Sequence, residues 1–187
     1  MDGKIVGHEQ SEMRTASYIV ILIIGALFLS GFCKPKYYII EGHVTHSNDW
    51  CSGVAPGPEY SDGQRNPPPY MGLKLYIKRG TINSTKTRIY DSIVTDSLGN
   101  FKFRAIEGNY IILVAEQLKK PIIPIDDKYA RWDSVCIMKN WQNGVYNFRT
   151  NHNPTVVRNN TIQINFDLRE HCSWNYPCMQ YSGPLPP

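Results

Sequence analysis

Residues 90–104, Tyr90-Asp91-Ser92-Ile93-Val94-Thr95-Asp96-Ser97-Leu98-Gly99-Asn100-Phe101-Lys102-Phe103-Arg104, decide the fold class. They read as a strand, a tight polar turn, and a second strand returning beside the first. Asp96, Gly99 and Asn100 supply the turn chemistry: Gly and Asn tolerate positive φ, and an Asp carboxylate bonds nearby backbone amides. Phe101 and Phe103 alternate with Lys102 and Arg104, the period of a strand with one buried face. A further turn at Glu107-Gly108-Asn109 leads into residues 110–115, apolar enough for a central sandwich strand.

Outward from this stretch the pattern stays β. Residues 37–46 read as a first strand, with Gly42 marking a close backbone approach or a bulge. Residues 72–79 read as another, with Leu73, Leu75 and Ile77 on one face and Lys74, Tyr76 and Lys78 on the other. Residues 161–166 put Ile162, Ile164 and Phe166 on one face of a last strand. Between residues 51 and 70 five prolines and three glycines describe a surface loop, which excludes a central strand or a helix. Pro121 and Pro124 break the chain. Residues 126–141 then predict a short helix, with Tyr129, Trp132 and Cys136 at helical spacing and Gly144 as its stop. Asp126, Asp127 and Asp133 fit the start of such a helix through its dipole.

The chain of 187 residues is long enough for one cored domain with appendages. Hydrophobic residues at 42% and charged residues at 19% are those of a globular protein. The net charge of +4 is small and its lysines and arginines are scattered, so no nucleic-acid surface is expected. Residues 18–32 carry no charge; at fifteen they are short for a span, which needs about 20, and suit a signal-peptide core. Counted from Met13 the segment before them is short and positive, which makes Met13 the expected start. Cys33 is the lipidation candidate, although Phe32 stands where a lipoprotein signal has a small residue. Ordinary cleavage near Ser30 and Gly31, or a retained membrane anchor, are the alternatives. Residues 1–36 are thus a signal or anchor segment, and residues 37–187 one domain. Its core lies in 37–115, a helical insertion in about 116–150, and a last strand and tail in 155–187.

Thr95-Asp96-Ser97-Leu98-Gly99-Asn100-Phe101, with Gly42-His43-Val44 before it and Glu107-Gly108-Asn109-Tyr110 after it, resembles the carboxypeptidase regulatory-like domains. Glu107 departs from that pattern, which has proline there. The exported part is also similar to small exported proteins of Bacteroidetes with a Cys-x-Gly-x-Ala-Pro loop and a Ser-Gly-Pro-Leu-Pro-Pro tail. The resemblance implies a mainly β, transthyretin-like or immunoglobulin-like antiparallel sandwich. It also implies an accessory module with no catalytic residues and no cofactor.

Cys51, Cys136, Cys172 and Cys178 are an even set in an exported chain, so two disulfides are expected, with three connectivities open. Cys172 and Cys178 either pair with each other or staple the C-terminal tail to the loop and the helix. A zinc site is disfavoured because no Cys-x-x-Cys pair exists, and no metal is expected elsewhere. His43 and His46, three apart on a strand, face opposite ways. His171 beside Cys172 is not how nucleophile and base are normally placed. Asp96 and Asn100 suit a turn better than a calcium site. Asn83-Ser84-Thr85 and Asn159-Asn160-Thr161 match the glycosylation pattern, relevant only in a eukaryotic secretory pathway. No enzyme is expected.

The function reading is an exported envelope or secreted module serving as a structural or protein-interaction domain. The alternative is a carbohydrate-binding module using Trp174, Tyr176 and Tyr181, with Trp132 and Trp141 as further aromatics to watch. Two coplanar exposed aromatics would favour sugar, and an apolar patch a protein. Partners are therefore an envelope protein or a polysaccharide, with membrane attachment through the N-terminal segment or a lipid.

Overall fold

The structure is a computed structural model describing residues 35–52, 57, 60, 64–150 and 160–184. The chain divides into two units, Met1–Pro35 and Lys36–Pro187, and every strand and helix described belongs to the second. The expectations for residues 18–32 and Cys33 lie outside the described residues. So do those for Asn159 and the last three tail residues.

Among the described residues nine strands follow in chain order: β1 (Tyr37–Asn48), β2 (Lys74–Arg79), β3 (Ile89–Val94), β4 (Asn100–Ile106), β5 (Asn109–Leu113), β6 (Ala130–Trp132), β7 (Tyr146–Arg149), β8 (Thr161–Glu170) and β9 (Met179–Tyr181). One sheet has the order β4-β1-β8 and a second β3-β2-β5-β7; β6 and β9 pair separately. The pairs are antiparallel except β1 with β8, which run parallel. The fold is a mainly β sandwich with a disulfide-stapled C-terminal region. Tyr38, Ile40, Val44, Phe103 and Ile162 from the first sheet pack with Leu75, Ile77, Tyr110 and Phe148 from the second. Each such aliphatic or phenyl side chain contributes about 1.5–3 kcal/mol by leaving water.

The deciding stretch is two strands and a turn, but not a hairpin. β3 pairs with β2 and β4 pairs with β1, so the chain crosses from one sheet to the other between Val94 and Asn100. Thr95 fixes the departure. Its Oγ1 accepts from the Leu73 amide at 2.9 Å and donates to the Tyr70 carbonyl at 2.5 Å. Asp96 then closes the corner, accepting from Leu98 N at 2.9 Å and Asn100 N at 2.8 Å. Gly99, at φ 73°, has the left-handed backbone this corner requires. The polar turn residues serve a crossing as well as a hairpin, and the partner strands decide between them.

Gly42 marks a close approach, as its sequence position predicts. A Cβ there would fall on the Ile164 carbonyl and the Phe101 ring. Lys78 departs from the expected alternation. A register shift between Ile77 and Lys78 turns it inward, and it is only 3% exposed. The proline-rich segment is not wholly loop either. Tyr60, Gln64 and Arg65 are helical, in a proline-free run between Pro58 and Pro67. Tyr60 Oη and Gln64 Nε2 both donate to Asn48 O, each at 2.6 Å. Pro69 bridges Thr45 and extends the edge of the first sheet where β4 begins.

The insertion also differs from expectation. A 3₁₀ turn, Ala115–Leu118, comes first, and the helix, α1, is Ser134–Asn143. Asp133 is its N-cap, accepting from Val135 N and Cys136 N. Residues 130–132 are strand β6, so Tyr129 and Trp132 do not share the helix with Cys136. Asp126 and Asp127 belong to the preceding turn, where Asp127 accepts from Tyr129 N and Ala130 N. These bonds, that from Tyr129 first, hold the Asp127 carboxyl below the usual range. Gly144 stops the helix at φ 66°, against Ile111 and Leu113. Residues 146–149, expected inside the insertion, are β7 of the second sheet.

Candidate functional site

The four candidate cysteines are paired as Cys51–Cys172 and Cys136–Cys178. The first joins the end of β1 to the chain after β8; the second ties α1 to the tail before β9. Two disulfides are consistent with an extracellular or periplasmic protein. Among the described residues no helix is long and apolar enough to cross a membrane.

These staples gather the sequence's aromatic candidates. The Trp132 ring meets Tyr176 edge-on, at 5.6 Å and 62°. Tyr181 lies against Tyr129 at 6.5 Å and 54°. Trp174, half-buried, lines a cleft of about 370 Å³ with Trp132, Met179 and Tyr181. Its Nε1 is buried without a hydrogen-bond partner among the described residues. Tyr176 is half exposed and faces two other clefts beside His171 and Glu116. The structure thus brings the aromatics to one end of the domain but tilts each contacting pair well away from a flat stacking platform. Trp141 lines one of those clefts with Tyr176 and donates its indole N–H to Gln117 O at 2.9 Å.

The polar candidates are engaged structurally. His171 Nδ1 is 2.8 Å from Asp49 Oδ2, and its neighbour Cys172 is in a disulfide. His46 Nε2 is 3.3 Å from Glu170 Oε1 without hydrogen-bond geometry. His43 Nδ1 is 3.2 Å from Asn100 Oδ1. Among the described residues no group of three or more His, Cys, Asp or Glu is placed to hold a metal. Asn83, of the glycosylation pattern, is buried and fully engaged. It accepts from Lys78 Nζ at 3.0 Å and donates to Gln117 O at 2.9 Å and Trp141 O at 3.2 Å. Lys78 also donates to Ser84 O, and burial pushes its ammonium down from the usual lysine value.

What sequence reasoning missed is the strap between the 3₁₀ turn and β6. In Lys119-Lys120-Pro121-Ile122-Ile123-Pro124-Ile125 the prolines signal only a broken chain, yet the segment carries the most exposed large apolar side chains described. Ile122 is 92% and Ile125 91% exposed. Both ends are fastened. Gln117 O before the strap receives Trp141 Nε1 and Asn83 Nδ2, and Asp126 after it accepts from Trp132 N at 2.8 Å. The signal was available: two isoleucines between two prolines and a third directly after them.

No family model matches the chain, and no curated protein matches it. Among solved structures it is similar to the major plantain pollen allergen Pla l 1, at 12% identity and TM-score 0.34, over 76% of this chain and 98% of that one. It is also similar to a 9R-lipoxygenase from Cyanothece, at 13% identity and TM-score 0.31, over 74% of this chain and 17% of that one. Likenesses of that strength carry no argument about fold or function.

Proposed function

We propose that this chain is a non-enzymatic, exported module of the cell envelope that docks a protein partner through its proline-flanked isoleucine strap. One observation carries the reading: Ile122 and Ile125 are held almost wholly in water on a segment fastened at both ends. Burying two such side chains gains about 1.5–3 kcal/mol each. Prolines on either side of Ile122 and Ile123 lower the entropy lost on docking. Lys119 and Lys120 open the strap, whereas Lys128 follows it beside Asp126 and Asp127, so the cationic end of the strap is its first. A partner with an apolar groove and an acidic rim complements it. The apolar N-terminal segment and Cys33 support placement at the envelope, by lipid or by an anchor. The carboxypeptidase regulatory-like reading rests on the sequence motifs at Gly42-His43-Val44 and at Thr95 to Phe101. The tilted rings of Trp132, Tyr176, Tyr129 and Tyr181 favour a protein partner over an aromatic sugar platform.

The test is the size of the native complex in gently solubilised envelope fractions. The wild-type chain is expected in a complex larger than itself. The Ile122→Ser/Ile125→Ser variant, with unchanged thermal unfolding, is expected as the free chain. Identical migration of the two would overturn the reading.

A further inference from the structure

The outer face of the β4-β1-β8 sheet carries a second, independent feature. Register places Lys102, Glu41 and Gln163 side by side in one row across the three strands, and Asn100, His43 and Asn165 in the next. Because the chain crosses between sheets after β3, Val94 and Asp96 stand beside this face, and the result is a depression of about 440 Å³. A flat solvated sheet face has no such wall.

The side chains are already locked to one another. Lys102 Nζ donates to Glu41 Oε1 at 2.5 Å, and Gln163 Nε2 to Glu41 Oε2 at 3.1 Å. Asn100 joins His43 Nδ1 through Oδ1 and donates from Nδ2 to Asp96 Oδ2 at 3.3 Å. Asn165 Oδ1 accepts from the His43 amide at 3.1 Å. Further along the same strands the rows are closed: Thr45 and Ser47 both donate to Asp167. The upper rows are not. Asn165 Nδ2, Gln163 Oε1 and His43 Nε2 have no partner among the described residues. The cleft therefore presents fixed donors and acceptors side by side, with Val94 and Phe101 as the apolar part of its lining.

We propose that this depression binds a neutral polyhydroxylated ligand, a short stretch or chain end of a glycan. A sugar hydroxyl both donates and accepts, and so matches neighbouring amide N–H, amide O and imidazole N groups, while its C–H face covers apolar lining. Glu41 and Asp96 against the single Lys102 make the site unfavourable for an anion. The Lys102 hydrogen bond holds the Glu41 carboxyl below its usual range, and the Asn100 amide does the same for Asp96, so both act as acceptors near neutrality. The site is separate from the strap and from Trp174.

The test is a titration of the ¹⁵N-labelled chain with maltotriose, cellotriose, mannotriose and chitotriose, reading the side-chain NH₂ signals of Asn100, Gln163 and Asn165. At least one sugar is expected to move the Gln163 and Asn165 signals saturably in the millimolar range. The Asn165→Ala/Gln163→Ala variant, with its backbone spectrum otherwise unchanged, is expected to weaken binding at least about tenfold, and Trp174→Ala to leave it unchanged. Repeating the titration with glucose or mannose separates a chain end, which these fill, from an internal stretch, which they do not. No saturable shift with any sugar overturns the proposal, and so do shifts confined to Trp174 and Tyr181.

Discussion

Thr95 and Leu73 hold each other twice. The Leu73 amide donates to Thr95 Oγ1 at 2.9 Å, and the Thr95 amide donates to the Leu73 carbonyl at 3.0 Å. With the hydroxyl also donating to Tyr70 O, this buried residue is where the chain leaves one sheet for the other. Thr95→Val keeps the shape and removes both side-chain bonds, leaving the Leu73 amide and Tyr70 carbonyl short of a partner. The expected loss is about 1–3 kcal/mol, read as a lower urea midpoint at unchanged slope.

The two disulfides are expected to differ in worth. They span sequence separations of 121 and 42 residues. In the chain-entropy account, removing Cys51–Cys172 costs roughly 5 kcal/mol and removing Cys136–Cys178 roughly 4 kcal/mol. Paired Cys→Ser variants compared by denaturant unfolding check the order. Peptide mapping without reduction is expected to recover only these two linkages.

Stability is expected to fall at both ends of the pH range. Burial, aided by the nearby Tyr90, pushes the Tyr110 phenol from 10.0 up to about 12. The unfolded chain then releases this proton first, so stability falls as pH rises through that window. Lys78 works in the opposite sense. Its folded value is depressed, so its contribution improves as pH rises toward 10.5. Tyr110→Phe is expected to flatten the alkaline loss. At the acid end the depressed carboxyls of Asp96 and Asp127 give stability that is complete above their ordinary value of 3.8 and lost as pH falls through their folded values. Asp96→Asn is expected to shrink the acid-dependent loss while lowering stability at neutral pH. Thermal unfolding across pH for wild type and both variants reads these slopes.

Period and turn chemistry were legible in the sequence because they are local. Phe101 and Phe103 face inward as their alternation predicts, and so do Leu75, Ile77, Ile162 and Ile164. Partner choice was not legible. A strand, a polar corner and a strand look alike whether the chain folds back or crosses, and the difference lies with Leu73 and Tyr70, more than twenty residues earlier. Trp132 reads as helical because its spacing from Cys136 fits a helix. Its strand pairing comes from Met179, in a tail that the Cys136–Cys178 bond brings near. Glu41, His43, Gln163 and Asn165 alternate outward in the sequence, but only the parallel register of β1 and β8 sets them beside one another.

The central claim, that the strap docks a protein, is tested most directly by in-cell photocrosslinking. A photoreactive residue replaces Ile122, or Lys74 on an exposed strand position as control, in intact producing cells. The account predicts one discrete adduct from position 122 and none from position 74. It also predicts that Lys119→Glu/Lys120→Glu abolishes the adduct, since the partner's rim is acidic. Equal labelling from both positions, or an adduct at 122 that survives the charge reversal, would contradict it.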